Sequence, residues 1–383
     1  MAVQTPTASV STKQHVLPEV LGFQILLSAT VAASATMAIL VLVVPLRITD
    51  GLATAMTALM AMSTVFILTP PLIRKMHAGG MVGLDVNKRT KKPIAELGGI
   101  AALFAFSLSL SLVIGFQKLL GNVAEPPFLA AIGVFFMAAT IGLIDDISDL
   151  PQRLKAVGVA FAALPLMLVH VGGTVIGLPF GLQLAFGGDW RLLYWLILVP
   201  IGVTGVANAT NMSAGYNGLE TGQIAIASLG LIVVAQLRGA PDVSLLVFGA
   251  IFGCAAGMYY FNRYPARVFM GDIGTLGLGA ALAAGVILAH IEFYGVIAIA
   301  PAFFELAATT YYGARRENGK RKEACRNPII DEDGVLHTPK NARHYTLAYW
   351  VLSRRASTEK SLVRRLLSLY GLTAVIAVLL ALV

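Results

Sequence analysis

Apolar runs close to twenty residues long recur from one end of the chain to the other, and no other feature of the sequence restricts the fold as tightly. A helix of that length matches the roughly 30 Å of hydrocarbon in a bilayer. The runs fall near residues 20–46, 51–73, 98–119, 126–144, 155–178, 191–208, 222–237, 243–261, 274–290, 293–313 and 366–383. They predict an all-α polytopic bundle of about ten or eleven spans. The two runs between 274 and 313 are parted only by His290, Glu292 and a glycine, so one broken or tilted helix is an alternative there. With 57% hydrophobic and 13% charged residues, against about 25% charged in soluble domains, the chain has too little polar surface for a water-soluble fold. We therefore expect a polar tail over residues 1–19 and one membrane domain over 20–383. Nothing in the tail reads as a cleaved leader, so the first span is expected to be retained.

A net charge of +8 could suit nucleic acid, but the cations are sorted by loop. The tail and the loops after even-numbered spans hold 24 of the 28 Lys and Arg residues, leaving Arg47, Lys118, Arg191 and Arg238 on the other side. The positive-inside rule makes the rich side cytoplasmic, with the N-terminus inside and no nucleic-acid partner. Cys254 and Cys325 have neither the number nor the spacing of a disulfide framework or a zinc site. The largest polar segment, 314–365, reads as a cytoplasmic lid. It contains a hairpin of 327–330 and 335–338 around Asp331-Glu332-Asp333-Gly334, and an interfacial or packed stretch at 345–352.

Four polar constellations fall on the cation-rich side. Asp145 and Asp146 close the fourth span, with Asp149, Arg153 and Lys155 just beyond. Adjacent carboxylates at a membrane boundary need a cation, a proton or a metal to compensate them, unless they are only a solvated helix end. The run from Asn208 through Asn211, Gly215 and Asn217 to Gln223 offers amide oxygens for a hard cation and glycines that let backbone N–H groups approach phosphate. Its plain alternative is a turn-rich connector. In Asn262 to Asp272, Arg263 and Arg267 suit phosphate, an aromatic suits a base and Asp272 suits a divalent ion; the alternative is a basic anchor with a helix cap. The loop 83–99 is strongly basic around Asp85, Asn87 and Glu96, as a topology-setting loop would also be. His170, His290 and Cys254 read as packing residues, whereas Glu305 inside an apolar run has no evident role.

Taken in order, Gly142-Leu-Ile-Asp-Asp-Ile-Ser-Asp-Leu-Pro-Gln-Arg-Leu-Lys155, the Asn208 to Gln223 run and Asn262 to Asp272 resemble the polyprenyl-phosphate N-acetylhexosamine-1-phosphate transferases, over about residues 83–340. Asn211-Met-Ser-Ala-Gly-Tyr-Asn-Gly-Leu-Glu-Thr-Gly-Gln223 looks like the eukaryotic and archaeal dolichyl-phosphate GlcNAc-phosphotransferase branch, and an archaeal member is favoured. Ala214 stands where bacterial members carry Asp. The histidine-rich motif of the MurNAc-pentapeptide translocases is missing from the long loop, where Arg326 alone matches the eukaryotic Pro-Arg-His-Arg stretch.

The resemblance implies transfer of GlcNAc-1-phosphate from UDP-GlcNAc to a polyprenyl or dolichyl phosphate, with release of UMP. That is a first membrane step of glycan assembly such as N-glycosylation, at the cytoplasmic face of a cell membrane. It implies Mg2+, with Mn2+ as the alternative ion, held by Asn211 and Asp272. Asp145, Asp146, Asp149 and Lys155 would be catalytic, and Phe269, Asn217, Gly215, Asp85 and Glu96 would bind the nucleotide. Arg326, Asn208 and Arg267 would meet phosphate or sugar. Rival readings are the same chemistry with another UDP-HexNAc or undecaprenyl phosphate, a secondary transporter, and a non-catalytic scaffold. The sequence leaves a homodimer open. No inverted repeat is visible, and the acids cluster at one face rather than at mid-membrane, which disfavours the transporter.

Overall fold

The structure is a computed structural model and describes residues 50–119, 125–169, 174–314, 316–317, 320–321, 327–339 and 346–383, together with 23, 24, 27, 28, 30–32 and 35. The 1–19 tail, most of the first apolar run, His170, Cys325 and Arg326 lie outside these residues. Among the described residues, nine helices are long and apolar enough to cross a membrane, and a bent helix pair brings the count to ten if it crosses as one span.

The chain runs through α1 (Asp50–Ala78), a ribbon of β1 (Val82–Leu84) and β2 (Pro93–Ala95), α2 (Gly99–Leu119) and α3 (Glu125–Ser148). Next come α4 (Gln152–Phe161), α5 (Leu164–Val169), the hairpin of β3 (Val175–Gly177) and β4 (Gln183–Ala185), and α6 (Trp190–Met212). Then follow α7 (Leu219–Leu237), α8 (Asp242–Asn262), α9 (Gly271–Leu288), α10 (Glu292–Ala298) and α11 (Ala300–Ala314). Short strands β5 (Arg316–Glu317) and β6 (Lys320–Arg321) lead to β7 (Ile329–Ile330), β8 (Val335–His337), α12 (Leu347–Arg354), β9 (Ser357–Thr358) and α13 (Glu359–Ala381).

Helix α9 is the hub. It packs on α2, α3, α6 and α8, and 89% of its apolar stretch is buried. Its sequence, Gly-Asp-Ile-Gly-Thr-Leu-Gly-Leu-Gly-Ala-Ala-Leu-Ala-Ala-Gly, explains why: small residues let neighbouring backbones come close where lipid gives helices no hydrophobic drive to associate. One such close approach is at Gly142 of α3, where an added Cβ would lie 2.3 Å from the Asp272 carbonyl oxygen.

Three sequence expectations need correction. The span expected at 155–178 is shifted to Gln152–Val169, and Val175–Gly177 instead pair with Gln183–Ala185. A short apolar segment followed by Gly and Pro suits a strand as well as a helix, and hydropathy does not separate them. The two runs between 274 and 313 are parted at His290 as expected, α9 ending at Leu288 and α10 starting at Glu292, but the second run is not one straight helix: α10 and α11 meet at Ile299 with a 73° bend. Residues 359–365, assigned to the polar lid, belong to the last helix, which begins seven residues before the apolar run. The hairpin in the lid is present, with Ile329 facing His337 and Ile330 facing Leu336, and β9 adds a third strand. The stretch at 345–352 contributes α12, whose first turn is tied down by Glu305: its Oε1 accepts the Leu347 N–H at 2.9 Å. That contact supplies the role the sequence left unassigned.

Candidate active site

The ends of α3 and α6 and the starts of α4 and α9 meet at one end of the bundle, and each brings polar side chains to it. Lys155 is buried, 4% exposed, and its ammonium bridges two carboxylates: Asp145 Oδ2 at 2.8 Å, and Asp272. Asp145 also accepts the Leu150 N–H at 2.8 Å, which fixes the turn between α3 and α4. On the far side of Asp272, Asn211 Nδ2 donates to Oδ1 at 2.7 Å and to Thr275 Oγ1 at 2.9 Å.

The adjacent acids thus divide the work, because successive residues on a helix point about 100° apart. Asp145 faces Lys155, while Asp146 turns to the start of α9 and accepts the N–H groups of Asp272 at 2.8 Å and Ile273 at 3.0 Å. Two of the orphan donors of that helix are satisfied in this way. The capping needs Gly271, which has φ 70° and stands where a Cβ would lie 2.6 Å from Asp146 Oδ2.

Next to Asp272 opens a cavity of about 230 Å³, lined by Asp85, Gly215, Asn217, Phe269, Asp272 and Thr275 among others. The sequence had assigned four of these to the nucleotide. Phe269 is held by backbone bonds on both sides, its N–H to Ala95 O at 2.8 Å and its carbonyl from Gly98 N–H at 2.9 Å. The Asn217 amide donates to Asp85 Oδ2 at 3.0 Å, and Asn87 Nδ2 reaches Gly215 O at 2.6 Å, so the loops 83–99 and 213–218 are stitched together. Tyr216, beside them, lies near Tyr349, Glu305 and Glu359, and burial pushes its phenol up, keeping it neutral.

Other candidates stand apart. Asp149 is exposed and ends α3 in a left-handed conformation at φ 52°. Glu96 lies against Gly83 in the ribbon rather than on the cavity wall. Asn208 donates to the Thr204 carbonyl one turn back in α6. Arg267 stacks on Tyr260 and lines a different cavity. His290 falls between α9 and α10, where burial holds its imidazole below the usual value.

Two residues that sequence reasoning missed complete the site. Glu359, 3% exposed, accepts the Asn217 main-chain N–H at 2.8 Å and pairs with Lys88. Lys88 in turn lies 2.8 Å from Asp85 Oδ2. The only hint in the sequence is an acid in the first turn of the last helix, which reads as a helix start and nothing more.

The sequence is similar to those of known proteins. The profile described as glycosyl transferase family 4 aligns with residues 128–290, which hold Asp145, Lys155, Asn211 and Asp272. A Saccharolobus solfataricus protein, provisionally named a UDP-N-acetylglucosamine–dolichyl-phosphate N-acetylglucosaminephosphotransferase, is 34% identical over 222 residues, 57% of this chain and 66% of that one, just short of two thirds of its length. A Methanocaldococcus jannaschii protein, provisionally named a glycosyltransferase, is 30% identical over 257 residues, 67% of this chain and 73% of the relative. The phospho-N-acetylmuramoyl-pentapeptide-transferase of Lactiplantibacillus plantarum is 32% identical over 242 residues, covering 60% and 73%. The chain therefore belongs to glycosyl transferase family 4, among the polyprenyl-phosphate N-acetylhexosamine-1-phosphate transferases.

Proposed function

We propose that the chain transfers GlcNAc-1-phosphate from UDP-GlcNAc to a polyprenyl phosphate of the dolichyl type, at the cytoplasmic face of the membrane. The observation that carries this reading is the junction of two unlike features. A base-sized cavity faced by Phe269 and Asn217 ends at Asp272, and the cluster of Asp272, Lys155 and Asp145 begins there.

In the reaction, an oxygen of the lipid phosphate forms a bond to the sugar-linked phosphorus of the donor. The bond from that phosphorus to the oxygen bridging it to the uridine phosphate breaks, and UMP leaves with that oxygen. A phosphate monoester has its second pKa near about 6, so the acceptor is mainly a dianion at neutral pH and needs little help from a base. Direct attack is favoured over an aspartyl intermediate for that reason. It is also favoured because the Asp145 carboxylate is engaged by Lys155 and Leu150, and that of Asp146 by the start of α9. Lys155 sits where it can steady a phosphoryl oxygen, positioning and charge stabilisation being the main demands of phosphoryl transfer. Phe269 would stack on the uracil and Asn217 would hydrogen-bond it, with the Asp85 loop over the base.

The donor set fits a hard divalent cation. Asp145, Asp146 and Asp272 carry three negative charges against the one positive charge of Lys155, while Asn211 and Thr275 add neutral oxygens. Among the described residues no three His, Cys, Asp or Glu side chains converge as a metal cage. Mg2+ is commonly bound through one or two carboxylates, with substrate phosphates completing its shell. Asn211 and Asp272 are the residues that would hold it, and the ion would supply charge neutralisation on the donor pyrophosphate.

The test is UMP release from UDP-GlcNAc by purified protein with a polyprenyl phosphate and Mg2+, run beside other UDP-HexNAc donors and undecaprenyl phosphate. Release that requires acceptor and metal and prefers GlcNAc and a dolichyl lipid is expected. Nucleotide release indifferent to the acceptor would overturn the assignment.

A further inference from the structure

A second cavity, of about 910 Å³, is distinct from the one that ends at Asp272. It lies on the other side of Asn217, between the end of α8 with its following loop and the first turns of α13. Arg263, Arg267, Lys360 and Arg364 line it, with Tyr259 and Tyr260, and among the described residues no carboxylate shares the lining. We propose that this cavity is a second phosphate-binding site, separate from the transfer site and suited to the headgroup of an anionic membrane lipid.

Four cations converging on one hollow repel one another, and the arrangement is relieved when an anion enters. Part of the wall is rigid before any ligand arrives. The Arg267 guanidinium stacks 4.5 Å from the Tyr260 ring centre and donates from Nη2 to the Tyr260 carbonyl at 2.5 Å, and Arg263 lies over the same ring at 5.3 Å. Tyr260 is itself stacked on Phe23, with ring centres 5.8 Å apart. Guanidinium groups held in this way present forked donors that match phosphate oxygens. Lys360 and Arg364 are four residues apart in α13 and so share a helix face.

The cavity also has an apolar side, Val363 and Leu367, where α13 enters its membrane-crossing length. A ligand with an anionic head and an apolar tail satisfies both halves, and a bilayer supplies such molecules in excess. A basic anchor that merely sets topology requires no concave shape, no shared aromatic platform and no exclusion of acids.

The site can be tested on the full chain purified in neutral detergent, by measuring binding of fluorescent phosphatidylglycerol, phosphatidylcholine and inorganic pyrophosphate. Phosphatidylglycerol is expected to bind more tightly than phosphatidylcholine. The double variant Lys360→Gln with Arg364→Gln is expected to weaken phosphatidylglycerol about thirtyfold, the worth of two basic residues near an anionic headgroup. Phosphatidylcholine binding should not change. Lys360→Arg with Arg364→Lys keeps both charges and should bind like the parent, which separates loss of charge from loss of fold. Equal binding of the two lipids, or full retention of phosphatidylglycerol by the Gln variant, overturns the proposal. Charge-dependent binding of pyrophosphate without binding of phosphatidylglycerol overturns the lipid assignment, because the occupant is then a soluble polyphosphate.

Discussion

The main-chain N–H of Asn217 donates to Glu359 Oε1 at 2.8 Å, joining residues 142 positions apart and setting the loop that forms one wall of the proposed base pocket. Glu359 touches neither the cavity near Asp272 nor its contents, yet it fixes where Asn217 can point. Replacing it with Ala removes a bond to a charged acceptor, worth about 1.5–3 kcal/mol. The Michaelis constant for the donor should rise about tenfold or more while kcat changes little. Steady-state UMP release with the donor varied at saturating acceptor reads this directly, and Glu359→Gln should recover much of the loss. A fall in kcat alone would assign Glu359 to the chemistry instead.

Lys155 offers a prediction with a definite sign. Lys155→Met leaves Asp145 and Asp272 without their shared ammonium, so turnover should fall by about 10²-fold or more, as when a preorganised charge stabiliser is lost. The same change makes the cluster more negative by one charge. Mn2+ binding without substrate, followed by electron paramagnetic resonance, should therefore tighten. Weaker Mn2+ binding would show that the lysine organises the ion's ligands rather than competing with the ion.

Phe269 presents its ring to the small cavity between two backbone anchors. Stacking of a base on an aromatic ring is worth about 1–3 kcal/mol. Phe269→Ala should weaken UDP-GlcNAc roughly tenfold to a hundredfold and leave the acceptor constant near its original value. Equal loss for both substrates would argue against stacking.

Gly142 tests the packing that holds Asp272. A methyl group there meets the Asp272 carbonyl at 2.3 Å, a backbone atom that cannot swing aside. Gly142→Ala should cost about 1–3 kcal/mol, read as a lower melting temperature in detergent, and activity should fall further than stability alone explains. Gly115, with open space around its Cβ position, is the control and should tolerate Ala.

How much of this could be read from the sequence depended on whether the signal was local. Spans were legible because bilayer thickness imposes a length, and the motifs were legible because amide and acidic groups beside apolar runs are costly without a purpose. Even so, Asp145 and Asp146 looked equivalent on paper. Only the rotation of the helix shows one facing Lys155 and the other capping α9. Glu359 and Lys88 were invisible for a different reason: their pairing spans 271 residues, and no local pattern encodes a partner so distant. Arg267 was assigned to substrate phosphate from its residue type, but the turn before Phe269 sends it to the larger hollow. Val175–Gly177 misled because apolarity reports burial and not backbone shape.

The burial of α9 has a consequence for how members of this family can diverge. A post packed against four neighbouring helices resists shifting, so the side chains at its tip are held in one arrangement. The strips at 82–95, 213–218 and 263–270 are fastened mostly to one another and to the head of α13. They form a replaceable collar around a fixed spindle, and a change of sugar or lipid preference is most cheaply written there.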